Sequence, residues 1–210
     1  MASVSITPAL ATAIYSYDLT LDECTGGCGT APFGTVTVTQ TDAQALTHTM
    51  SFNVDLSDGD FFVHTGAGAS LLFDLDTNPA ITISNLSTGF TAGQIASGGS
   101  IHAGATGYWQ YSVICTACGS GGSHPQPGPL DFDITTASAL TTEDIVTNGN
   151  GFYFAVDILG TTGNTGDVAA NTESGGDTEV PEPASFVLFG TALFGLSLPL
   201  RRARRNRAAI

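Results

Sequence analysis

The chain contains no lysine, and its five arginines all lie at positions 201, 202, 204, 205 and 207. Residues 1–200 therefore hold all 19 acidic side chains and no Lys or Arg. Binding a nucleic acid requires cations that displace counterions from phosphate, so nucleic acid is excluded as a partner of the body. Charge of either sign is scarce, at 11% of residues against roughly 25% in an average soluble domain. Tryptophan occurs once, cysteine four times, and no long apolar run precedes residue 184. Signs of catalysis are also missing. His48, His64, His102 and His124 fall at no metal-ligand spacing, and no Gly-x-Ser-x-Gly elbow accompanies them. A carboxylate pair of the glycosidase type needs only to meet in space, so sequence alone does not expose one. What is present is a chain of 210 residues, 42% hydrophobic, with a formal net charge of -14. That is enough apolar material for one cored domain and thin for two. The negative balance predicts a solvated, self-repelling surface, or one that collects divalent cations.

The composition changes abruptly at Val180. Residues 164–179 are rich in Gly, Asn, Thr and acids with no apolar periodicity, and they read as a flexible linker. Val180, Pro181, Glu182 and Pro183 follow, then an uncharged apolar stretch at 184–200, then Arg201, Arg202, Arg204 and Arg205. At ~1.5 Å per helical residue the stretch reaches about 25 Å, just able to span a ~30 Å hydrocarbon core with local thinning. The arginines would stay cytoplasmic, leaving the acidic body outside and residues 206–210 as a tail. The alternative is a buried core helix with a basic tail. Pro-Glu-Pro, an apolar span and a basic cluster, in that order, resemble the tripartite PEP-CTERM sorting signal, here over 180–205. The resemblance implies recognition by an exosortase, a membrane-embedded processing enzyme. It further implies processing near Pro181–Pro183 of a precursor anchored in the inner membrane. The product would then reside at the cell surface or outside the cell. Two prolines hold the backbone extended around Glu182, the shape a protease cleft accepts.

Export needs a signal at the other end, and residues 1–13 carry only part of one. Ala9 to Ala13 offer small-residue cleavage positions, but no basic residue precedes them and the apolar stretch is short. Residues 1–13 therefore read as the remnant of a truncated export signal, the alternative being a loose first strand.

Residues 14–163 read as one ectodomain of short strands and turn clusters. Period-two alternation runs through Tyr15, Tyr17, Leu19 and Leu21, through Met50, Phe52, Val54 and Leu56, and through Phe152, Phe154, Val156 and Ile158. Trp109, Tyr111 and Val113 make a further set, predicting that Trp109 and Tyr111 point inward together. Other expected strands lie at 34–40, 60–65, 70–75, 80–84 and 130–135, with a helical turn at 141–146. The expectation is an all-β antiparallel sandwich or jelly roll, followed by the linker and one transmembrane helix. The body is also similar to a recurring β-rich ectodomain of PEP-CTERM proteins, through Cys-Thr-Gly-Gly-Cys-Gly at 24–29 and Gly-Asn-Thr-Gly-Asp-Val at 163–168. That likeness implies fold and address, and no activity.

Cys24, Cys28, Cys115 and Cys118 form two close pairs. In a reducing compartment they would suggest a four-sulfur zinc site; outside the inner membrane they predict two disulfides, with three connectivities open. Asp55, Asp58 and Asp60 around Gly59, and Asp74 and Asp76, are calcium candidates. The second group fails as a calcium loop because Pro79 takes the glycine position and Asn85 the glutamate position. Turn formation explains these acids equally. No other cofactor is expected. The functional expectation is a non-enzymatic structural or adhesive protein of an exopolysaccharide layer. The alternatives are a secreted carbohydrate- or calcium-binding module and, third, a secreted hydrolase.

Overall fold

Alternation at period two sends one side of each strand into a shared core and leaves the other to solvent. The computed structural model describes residues 12–40, 49–95 and 101–179, and within them this pattern resolves into strands. The first four are β1 (Thr12–Asp18), β2 (Leu21–Asp22), β3 (Gly34–Gln40) and β4 (Thr49–Leu56). β5 (Phe61–Phe62), β6 (Leu71–Leu75), β7 (Ile81–Ser84) and β8 (Phe90–Ile95) follow. A hairpin of β9 (Ile101–Ala103) and β10 (Gly107–Trp109) precedes β11 (Tyr111–Cys115) and β12 (Leu130–Thr136). β13 (Ile145–Val146), β14 (Phe154–Leu159), β15 (Thr165–Ala170) and β16 (Gly175–Glu179) complete the described residues.

Two antiparallel sheets result. One runs β16-β1-β3-β4-β12-β7, the other β2-β15-β14-β6-β11-β8, with β13 beside β6 and β5 beside β14. Their facing sides interlock on aromatic rings. Phe52 and Phe132, cross-strand partners on β4 and β12, stack at 4.7 Å, and Phe52 reaches Phe73 of the opposite sheet at 5.5 Å. Phe73 stacks on Tyr111 at 5.3 Å, and Tyr17 meets Phe154 edge-on at 5.0 Å. Each such pair adds ~0.5–1.5 kcal/mol beyond simple burial. The all-β antiparallel expectation is thus met.

The outer sides of the sheets differ. On the six-stranded sheet Thr37, Asn53 and Asp131 are successive register partners, as are Thr39, Ser51 and Asp133, giving a surface of short polar groups. On the other sheet, the β9–β10 hairpin lies over the outer side. Ile101, Ala103 and Trp109 bury Leu72, Ala155 and Ala169 in a second small core. β6 and β14 are thereby covered on both sides, which is why they read as near-continuous apolar runs.

Three expectations are corrected. Trp109 and Tyr111 do not point inward together: the strand breaks at Gln110, so Trp109 enters the small outer core and Tyr111 the main one. Residues 164–179 are not a linker, because β15 and β16 occupy them. β15 lies between β2 and β14, with Val168 and Ala170 in the main core and Ala169 in the small core beneath the hairpin. The folded body accordingly extends past residue 163 to Glu179, and it takes in Thr12 and Ala13 from the expected signal remnant, since both belong to β1. The expected helical turn is a single 3-10 turn, Thr142–Asp144, where the Asp144 carboxylate accepts from the Thr141 N–H at 2.5 Å. Among the described residues no helix is long and apolar enough to cross a membrane. The span expected at 184–200 lies outside the described residues. So do Val180, Pro181, Glu182, Pro183, the arginines at 201–205, residues 1–11 and His48.

Candidate functional site

The sandwich has two poles of different character. At one, Thr12 and Glu179 are register partners, with Gln40 opposite Ala13. At the other, the loops after β2, β4, β5, β11 and β14 are fastened to one another. Cys24 bonds to Cys28 and Cys115 to Cys118, so both sequence-adjacent pairs close and the connectivity left open by sequence is settled. The Asp22 carboxylate accepts from the N–H groups of Cys24 at 3.0 Å and Cys28 at 2.8 Å, clamping the first loop. Asp22, Cys24 and Cys28 come close enough to suggest a metal triad, but both sulfurs are spent in the disulfide.

The two motifs that carried the ectodomain likeness meet here. Asn164 donates through its side chain to the carbonyls of Gly26 at 3.2 Å and Gly27 at 2.8 Å, and the Thr162 hydroxyl donates to Gly27 at 2.6 Å. Gly160 allows the approach, since a Cβ there would collide with the Cys28 carbonyl. Beside this junction, on the outer side of the second sheet, a cleft of about 300 Å³ opens between Glu23, Thr25, Thr65, Gly104, Thr165 and Asp167.

A carboxyl pair lies at its base. Asp157 on β14 and Asp167 on β15 are direct cross-strand partners, a placement that sets like charges against each other. Asp157 is buried; its carboxylate accepts from the Thr65 N–H at 2.5 Å, and the Thr65 hydroxyl lies 2.6 and 2.7 Å from its two oxygens. Burial pushes the Asp157 carboxyl up, while the Thr65 bonds and nearby His64 pull it back. Asp167 rises further, to about 6, through burial first and then the charge of Asp157, against a bond from the Thr106 hydroxyl at 3.2 Å. Only Asp167 of the two lines the cleft. The cleft thus offers one carboxyl that holds its proton in mildly acidic surroundings, with Glu23, Thr25, Thr65 and Thr165 around it.

The calcium candidates do not converge. Asp60 is nearly buried and accepts from the Thr161 N–H at 3.2 Å, while Asp55 and Asp58 are exposed beside it in sequence. Asp74 is buried at the other pole, accepting from the Gln110 N–H at 2.7 Å, and Asp76 accepts from its neighbour Thr77 at 2.8 Å. Each carboxylate with a bonded partner serves a turn or strand end, as turn chemistry predicts. Asp22, Asp157 and Asp167 were not singled out by sequence. The Gly-Asn-Thr-Gly-Asp-Val motif contained Asp167, but the pairing with Asp157 depends on the register of two strands, one of which reads as linker.

Residues 179–205 match the PEP-CTERM protein-sorting motif. No curated protein and no solved structure matches the chain. The match begins at Glu179, the last residue of β16, so the sorting segment follows the folded body directly. The chain is a PEP-CTERM motif-bearing protein: an all-β, twice disulfide-bonded body joined to a signal for export and C-terminal processing by an exosortase.

Proposed function

We propose that the exported body is a non-enzymatic structural or adhesive component of an extracellular polysaccharide layer, released from an inner-membrane precursor by processing near Pro181–Pro183. The sorting motif carries this reading, because it directs an acidic body free of Lys and Arg to the cell exterior. Two further observations support it. The six-stranded sheet presents the Thr37–Asn53–Asp131 and Thr39–Ser51–Asp133 rows, whose hydroxyl, amide and carboxylate groups match the hydrogen-bonding of a hydroxyl-rich polymer. The buried Asp157 is tied to Thr65 rather than free to act on a substrate, which argues against a working pair of catalytic carboxyls.

A carbohydrate- or calcium-binding module is the second reading. It is favoured by a concavity of about 240 Å³ on the same sheet, where Asp133 accepts from Ser51 and Asn85 and Asp131 accepts from Asn53. Trp109 takes no part in either reading, since it is buried and not available to stack on a sugar. The test uses the mature protein recovered from culture medium. It should co-sediment with the host's exopolysaccharide without shortening it, and its deletion should reduce the polymer retained at the cell surface. Saturable binding of a free oligosaccharide or of calcium would move the assignment to the second reading. Depolymerisation that disappears in Asp167→Asn would replace both with a hydrolase.

A further inference from the structure

Among the described residues, β16 stands at the edge of the six-stranded sheet and pairs with β1 alone. Its register runs from Ser16 opposite Gly175 to Thr12 opposite Glu179. Gly175 and Gly176 bring no side chain to the core, and residues 171–176 are exposed. At these two glycines the strand is held by its backbone ladder with β1. In contrast, β15 before it is paired on both edges and buries Val168, Ala169 and Ala170.

The sorting motif begins at the last residue of this strand, and Val180 alone separates β16 from Pro181. Residues 180–183 extended at ~3.3 Å each reach only about 13 Å from the ladder. A processing cleft that takes Pro181–Pro183 as an extended strand must also seat the residues before them, and these residues are already paired with β1. A cleft that encloses the extended chain on both edges needs the edge that β1 occupies, so these residues cannot enter it while they remain in the sheet.

We propose that β16 is a detachable strand, which leaves β1 to enter the cleft of the membrane-embedded processing enzyme. This rests on the sorting reading above. Residues 171–179 then serve twice, as a sheet edge in the resting fold and as a tether during processing. Released, these residues add about 30 Å of reach at ~3.3 Å per residue. The hydrogen bonds that β16 gives up on leaving β1 are re-formed on the enzyme by strand addition, which offsets the cost of opening the edge.

The experiment follows processing of the full chain by pulse-chase in cells that contain the exosortase. Ile14 and Asp177 are register partners, so the double variant Ile14→Cys/Asp177→Cys places two cysteines at disulfide distance and locks the ladder, as confirmed by intact mass. Processing of the locked chain should fall by about tenfold or more, since the competent open state is removed. Inserting a flexible Gly/Ser spacer of about ten residues after Glu179 in the locked chain should restore processing, because the spacer then supplies the cleft. Locked chain processed at the original rate, or a spacer that fails to restore it, overturns the detachable strand. An unaltered chain left unprocessed overturns the sorting reading itself, and this inference with it.

Discussion

Asp167 shares a threonine with the only indole in the chain. The Trp109 Nε1–H donates to Thr106 Oγ1 at 3.2 Å, and that hydroxyl lies 2.8 Å from the Ala103 carbonyl and 3.2 Å from Asp167 Oδ2. A hydroxyl has one proton. While Asp167 is ionised, two acceptors compete for it; once Asp167 is protonated, it donates to Thr106, whose proton then goes to Ala103. The field at the indole changes between the two states. Emission from Trp109, the single tryptophan, should therefore titrate with a midpoint of about 6, and Asp167→Asn should abolish the step. A midpoint at the ordinary carboxyl value of 3.8 would remove the assigned burial and pairing with Asp157.

Elements at the fastened pole are held by short covalent loops. The Cys24–Cys28 bridge spans a sequence separation of 4, and closing so small a loop restricts the unfolded chain by only about 2 kcal/mol. Cys24→Ser/Cys28→Ser should cost about that much in urea unfolding, with Asp22 still accepting from the loop N–H groups. A loss several times larger would mean that the bridge holds the junction of Gly26 and Gly27 with Asn164 together. Legibility from sequence also varies by element. β3, β4 and β12 were plain because alternation alone defines them, with Val36 and Val38, Phe52 and Val54, and Phe132 and Ile134 marking one side. β15 and β16 were hidden. β15 draws its stability from backbone pairing and small buried side chains, β16 pairs along its backbone with β1, and Gly, Thr and Asp carry no periodic apolar signal. The β9–β10 hairpin hid for another reason: Trp109 alternates with Tyr111 along the chain, and the break at Gln110 follows from the Asp74 carboxylate, which captures its N–H.

At the scale of the whole molecule, the buried acids set how stability follows pH. Folded Asp167 binds its proton more tightly than the unfolded chain, whose carboxyl titrates at the ordinary 3.8. Its contribution to stability is thus fully present below about pH 4 and is lost as pH rises through about 6. Asp60, Asp74 and Asp157 are also raised by burial and act with the same sign. The formal charge of -14 adds self-repulsion as the remaining acids ionise. The thermal midpoint should be higher at pH 5 than at pH 8, and Asp167→Asn should raise it at pH 8 while changing it little at pH 5. Calorimetry at the two pH values checks both statements; a midpoint that rises with pH would reverse the argument. The sequence carried the sorting signal in its last residues, but the acids that govern this response came together only through strand register.

The pairing of Thr12 with Glu179 has a mechanical consequence. Because the described fold begins and ends at the same pole, tension applied between these two residues does not stretch the β1–β16 ladder along its length. It loads one hydrogen-bonded pair at a time, in unzipping rather than shear. The two central strands of each sheet bear none of that load until β16 has come away. Small forces would therefore lengthen the attachment of the body while leaving its aromatic core and both disulfide loops intact.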